Sequence, residues 1–128
     1  MINLNEYLNH IHEQDEKQYC IGVDLDGTLA HYEGWNGFDD IGEPILPMLS
    51  RVKHWITKGI RVIIFTARAT EPNNIPPIKE WLKKNGLPDL EITCVKKPEM
   101  KLIFDDRAIQ VEKNTGKILS NYNEEFGF

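Results

Sequence analysis

The sequence predicts an α/β fold: one doubly wound parallel sheet flanked by helices in three layers. Three observations lead there. The apolar runs CIGV and IRVIIF enclose a helical pattern, which makes a β-α-β unit and hence a parallel pair with a right-handed crossover. Two more apolar runs follow, ITCV and LIF, the first after a second helical pattern. All four runs end in polar or charged residues, so one edge of such a sheet would carry them together.

Taken in order, residues 3–17 place Leu4, Leu8 and Ile11 at helical spacing with Tyr7 beside them, a short amphipathic helix ahead of the core at 19–112. His10 and His12 lie two apart, on different helix faces, and read as surface residues. The first strand buries Cys20, Ile21, Val23 and Leu25, with Gly22 leaving room for close packing. Residues 29–43 show no clear periodicity and are rich in Gly, Asp and aromatics. That is long for a connector, and such loops are commonly functional. Following the acids of the first strand directly, this loop should hang over them, with His31, Tyr32, Trp35 and Phe38 available to exclude water or touch a substrate.

Pro44 or Pro47 opens a helix that runs to about residue 58, with Ile45, Leu49, Val52, Trp55 and Ile56 as its buried stripe and Gly59 as its stop. His54 falls off the stripe. The second strand spans 60–65 and leads into Thr66, Ala67 and Arg68. A Pro/Asn loop at 71–77 precedes a helix over 78–85, which buries Ile78, Trp81 and Leu82 and ends at Gly86. Strands at 91–95 and 102–104 follow, broken by Lys96, Lys97 and Pro98. Residues 108–111 suit a short strand or a helical turn, and Asn114, Thr115 and Gly116 a turn. The tail at 121–128 is weakly determined.

The 128 residues, 41% hydrophobic and 27% charged, describe one soluble globular domain. No run approaches the ~20 apolar residues of a membrane span, and the N-terminus has no secretory pattern, so a cytoplasmic location is expected. The two cysteines, Cys20 and Cys94, lie in apolar strand-like runs and read as buried free thiols. A net charge of −5 argues against broad binding to duplex nucleic acid, though not against a local grip on one phosphate.

The chemistry starts at Asp24 and Asp26, one residue apart at the end of the first strand, followed at once by Gly27 and Thr28. Adjacent acids repel unless a cation lies between them, and Gly27 permits the bend that turns the second toward the first. If the fourth strand lies beside the first, opposite the second, Asp105 or Asp106 meets Asp24. Three converging carboxylates form a hard-oxygen site of the Mg²⁺ kind, with room for a phosphate oxygen. A bridging Mg²⁺ removes the repulsion between a carboxylate nucleophile and a phosphomonoester dianion. Asp24 could then attack phosphorus, and Asp26 could protonate the leaving alkoxide and activate the water that follows. Thr66 and a lysine could hold the phosphoryl oxygens, with Arg68 as a second grip.

Over residues 19–112 the chain resembles the haloacid dehalogenase superfamily of phosphohydrolases. The residues that carry the resemblance are the D-x-D-G-T run from Asp24 to Thr28, FTAR with Thr66, the lysines after ITCV, and FDD with Asp105 and Asp106. It implies a Rossmann-like fold, Mg²⁺, an Asp24 nucleophile and an Asp26 acid/base. The metal ligands it implies are the Asp24 carboxylate, the Asp26 main-chain oxygen and Asp105, with Asp106 close by. It favours Lys96 as the phosphate lysine, ahead of Lys97 and Lys101. Gly27, Thr28, Ala67, Arg68 and Lys97 make up the expected substrate-binding set.

Where the family inserts cap domains this chain has only the 29–43 loop and one helix, so an open crevice is expected. Capless members often act on macromolecular ends or use a neighbouring subunit as a lid. The expected substrate is a small phosphorylated metabolite. A nucleotide or nucleic-acid 3′-phosphate is the alternative, since FDDR resembles the phosphatase half of polynucleotide kinase–phosphatases. A receiver-type phospho-acceptor domain would need a lone Asp where TCVKK stands, and a non-catalytic binding module would be marked by a lost acid or lysine.

Overall fold

The structure, a computed structural model, describes residues 19–119. The helix expected over 3–17 and the tail at 121–128 lie outside the described residues. Four strands and two helices alternate along the chain: β1 (Cys20–Val23), α1 (Leu46–Thr57), β2 (Arg61–Phe65), α2 (Ile75–Lys84), β3 (Glu91–Thr93) and β4 (Met100–Phe104). Two 3-10 turns, Ala67–Thr70 and Pro72–Asn74, join β2 to α2.

All strand pairs are parallel, in the order β3-β2-β1-β4. Val23 is level with Ile64 on one side and Phe104 on the other, and Ile64 with Ile92, so the four strands end at one edge. The chain steps from β1 outward to β3, then returns to the free side of β1. That reversal beside β1 is where a Rossmann-like α/β sheet opens a ligand crevice.

Both β-α-β steps run in the same direction and are right-handed, so both helices land on one face. There Ile21, Val23, Val62 and Ile64 pack against Met48, Leu49, Val52 and Trp55 of α1 and against Ile78, Trp81 and Leu82 of α2. The other face carries a smaller cluster of Cys20, Ile63 and Met100. Among the described residues, the second helical layer of a three-layer arrangement is not seen.

Pro47 occupies the first turn of α1, as the sequence predicts. α2 begins at Ile75 rather than Ile78. Two prolines fit in its first turn because the N–H groups they lack have no intrahelical partner there. β3 stops at Thr93 instead of reaching 95, because the Thr93 hydroxyl accepts the Val95 N–H at 3.0 Å and turns the chain. Cys94 is therefore exposed, contrary to expectation, while Cys20 is buried and both are free thiols. Residues 108–111 form neither strand nor helix; Val111 makes one antiparallel bridge to Ile118 across a turn in which Asn114 has φ 66°.

The 29–43 loop is closed at its base. His31 N–H donates to Glu43 O at 2.8 Å and Ile45 N–H to Leu29 O at 2.8 Å. Gly42 permits this approach, because a Cβ there would lie 2.0 Å from the His31 carbonyl oxygen. Trp81 Nε1 of α2 donates to Gly42 O at 2.8 Å and ties the loop to the helix layer. Among the described residues no helix is long and apolar enough to cross a membrane.

Candidate active site

Asp24 follows β1 directly, and its N–H continues the ladder to Phe104 O at 2.9 Å, which sets it beside the acids that end β4. Carboxylate oxygens of Asp24, Asp105 and Asp106 all lie within 4.8 Å of one another. Burial and, next, the Asp105 charge push the Asp24 carboxyl up to about 7, with the Asp106 hydrogen bond and charge adding to it. Three crowded carboxylates, one of them only 6% exposed, suit a hard divalent cation, and this set could hold one.

The Asp-Gly-Thr turn supports this cluster from below. The Leu25 carbonyl accepts the N–H groups of Thr28, Leu29 and Ala30, which wraps the chain tightly after Asp26. Thr28 then meets the β4 end: its hydroxyl donates to Asp106 Oδ1 and accepts the Asp106 N–H, both at 2.9 Å. Asp105 Oδ1 accepts the Arg107 N–H at 2.8 Å. Gly27 and Thr28, expected to bind substrate, lie against Asp106 and are not among the residues that line the cavity described below. Gly27 has φ +89°, and a Cβ on it would lie 2.6 Å from an Asp106 oxygen. Gly27→Ala is therefore expected to cost about 1–3 kcal/mol, read as a lower urea midpoint. An unchanged midpoint would contradict the crowding.

Asp26 turns away from the other acids. Its oxygens accept two bonds from Arg68, Nε at 2.7 Å and Nη2 at 2.8 Å. Arg68 also donates to the carbonyls of Phe38 (3.3 Å) and Asp40 (2.9 Å), and its guanidinium lies 4.7 Å from the centroid of the Trp35 ring. A buried guanidinium requires such partners. Arg68, expected as a second grip on phosphate, is thus mainly the clamp that joins Asp26 to the 29–43 loop. Asn74, which sequence reasoning passed over, donates to the Arg68 carbonyl at 2.8 Å and holds the clamp in place. Only the Asn-Asn pair in a Pro-rich run hinted at it.

These groups surround a cavity of about 360 Å³. Asp24, Asp26, Thr66, Ala67 and Arg68 line it from the strand ends, Tyr32 and Trp35 from the loop, and Asp106 and Arg107 from β4. Thr66 is buried, and its oxygen accepts the Arg68 N–H at 3.2 Å, leaving the hydroxyl proton to point elsewhere. Of the loop aromatics, Tyr32 and Trp35 reach the cavity. His31 pairs with Glu33 in solvent, and Phe38 contributes its carbonyl to Arg68.

The lysines are not there. Lys97 pairs with Glu91 at the start of β3, and the Lys101 ammonium lies 4.7 Å from the Tyr19 ring before β1, both at the opposite sheet edge. Lys96 is exposed and does not line the cavity. The turn after Thr93 carries these residues away from the strand ends. Besides Arg68, which is paired to Asp26, the cation that lines the cavity is Arg107, and the signal for it was its place directly after the acid pair in FDDR.

No family model matches the sequence, and neither does any curated protein. Among solved structures, a conserved protein from Bacteroides thetaiotaomicron is similar, with a TM-score of 0.53 and 26% sequence identity over 79% of this chain and 81% of that one. The chain shares its fold with that protein.

Proposed function

We propose that the protein is a Mg²⁺-dependent phosphomonoester hydrolase of the haloacid dehalogenase type, acting on a small phosphorylated metabolite through an aspartyl-phosphate on Asp24. The observation that carries this reading is the meeting of Asp24, Asp105 and Asp106 at the edge of a cavity that Asp24 and Asp106 line together with Asp26 and Thr66. Asp24, Asp105 and Asp106 would hold the ion, which supplies the positive charge that lets a carboxylate approach a phosphate dianion. Asp24 attacks phosphorus and the bond to the leaving oxygen breaks. Asp26 gives that oxygen its proton, then takes one from the water that hydrolyses the aspartyl-phosphate. For this it must exchange one bond to Arg68 for a bond to the leaving group. Thr66 donates to a phosphoryl oxygen, and Arg107 takes the part first assigned to a lysine. Two free thiols fit a reducing, cytoplasmic setting.

The test is phosphate release from a broad panel of phosphate esters with Mg²⁺, including a 3′-phosphorylated oligonucleotide. Turnover of small esters is expected; no turnover of any ester would end the proposal, and preference for the oligonucleotide would shift it to nucleic-acid ends. Asp26→Asn is expected to lower kcat on the order of 10²–10⁴ for alkyl phosphates, but far less for p-nitrophenyl phosphate, whose leaving group scarcely needs a proton. Equal losses on both would remove Asp26 from the acid role. The same variant leaves Arg68 with one acceptor fewer, so a lower thermal midpoint should accompany it.

A further inference from the structure

The 29–43 loop presents more aromatic surface than its anchoring requires. Trp35 is 54% exposed and Tyr32 44% exposed, yet both line the cavity that holds Asp24 and Asp26. Apart from the contact of Trp35 with Arg68, the loop's attachments are made by other groups: the Phe38, Asp40 and Gly42 carbonyls, the pinched base and Trp81. Neither ring is needed to fill a core, and large rings left in water beside a reaction site mark a surface that something covers. Trp35 is also placed with respect to the chemistry. The guanidinium that stacks with its ring is the one that holds Asp26, so indole and carboxylate are separated by a single planar group. With Arg68 against the indole, the remainder of that half-exposed side chain is left to a ligand.

We propose that Tyr32 and Trp35 form a stacking platform for the leaving group, and that the substrate is a phosphomonoester bearing a planar aromatic ring, of the nucleoside monophosphate class. This rests on the phosphatase reading of the same cavity and sharpens it. The phosphate end is met by Thr66 and Arg107, and the alcohol end extends toward the loop. A ring there gains stacking on the aromatics, which tolerates any base because every base has a π-face. A bare sugar phosphate would gain less from them, having only C–H groups to lay on the rings. The cavity, at about 360 Å³, lies within the range that takes small ligands and is open enough for a ring to reach past it.

Matched pairs test this. A nucleoside 5′-monophosphate and ribose 5-phosphate carry the same phosphate and sugar and differ in the base. With Mg²⁺, kcat/KM is expected to favour the nucleotide by about tenfold to a hundredfold. In Trp35→Ala and Tyr32→Ala that ratio should fall toward one, and Trp35→Phe should retain much of it. As a readout independent of turnover, calorimetry with Asp24→Asn should show the nucleotide binding more tightly than ribose 5-phosphate, and this difference should vanish when Trp35→Ala is added. If the best ester of the whole panel lacks a planar ring, or the ratio survives both alanine variants, the platform is wrong while the phosphatase stands. Failure to hydrolyse any ester would overturn both.

Discussion

Replacing Asp24 with asparagine is expected to abolish turnover and, in the absence of metal, to make the protein more stable. An amide cannot attack phosphorus, so kcat should fall on the order of 10⁴–10⁶. Stability should move the other way because of where the carboxylate sits. Asp24 is buried against Asp105 and Asp106, and its folded-state pKa is raised from 3.8 to about 7. Below about pH 4 the proton is bound in both folded and unfolded states, and the folded form bears no penalty. Between these values the folded state holds more protons than the unfolded one, so stability is lost as pH rises, and the loss is complete above about 7. Asparagine has the same shape and no charge. At pH 8 in EDTA the variant should exceed the parent by on the order of 2–4 kcal/mol, and the gain should shrink steadily toward pH 4. Urea denaturation at several pH values measures it. Retained phosphatase activity would reject the nucleophile, and a variant less stable than the parent at pH 8 would reject the picture of crowded charges.

Removal of the divalent ion should have an effect of comparable size. On the proposed function, EDTA is expected to abolish phosphate release and Mg²⁺ to restore it. Ca²⁺, larger and with looser coordination, should bind without restoring the rate. The ion and the proton compete for Asp24, so binding should release a proton below pH 7, and affinity should fall roughly tenfold per pH unit there. Thermal midpoints should therefore rise more on adding Mg²⁺ at pH 8 than at pH 5.5, following the concentration-dependent stabilisation of any ligand that binds only the folded form. Full activity in chelator, or an equal shift at both pH values, would mean that Asp24, Asp105 and Asp106 do not form the metal site.

Several features of this site could be read before any coordinates. The apolar run before Asp24 and the one before Asp105 require buried parallel strands, and buried strands that end in acids bring those acids to an edge. Thr66 was legible for the same reason, as the residue at which IRVIIF stops being apolar. The helices were legible from their stripes, although the start of α2 was not, because a proline marks a first turn without saying which of two prolines is first.

The lysines were misread because one side chain, Thr93, ends β3 early and redirects the chain, which no periodicity reports. The clamp made by Arg68 was not legible because its burial depends on carbonyls contributed by a loop distant in sequence. Gly27 and Thr28 were assigned to substrate for want of their real neighbour, Asp106, which reaches them only when β4 pairs with β1.

The residue pattern alone was enough to determine a parallel α/β chain whose first and last strands end in acids, because hydrophobic periodicity and the handedness of crossovers are local consequences of the chain. Which side of β1 receives β4, and therefore that Asp24 and Asp105 share a site while Lys97 joins Glu91 at the far edge, was decided only in three dimensions. Polar groups far apart in sequence find partners according to which surfaces the packed core leaves adjacent. That adjacency is a property of the assembled sheet, not of any stretch of the chain that builds it.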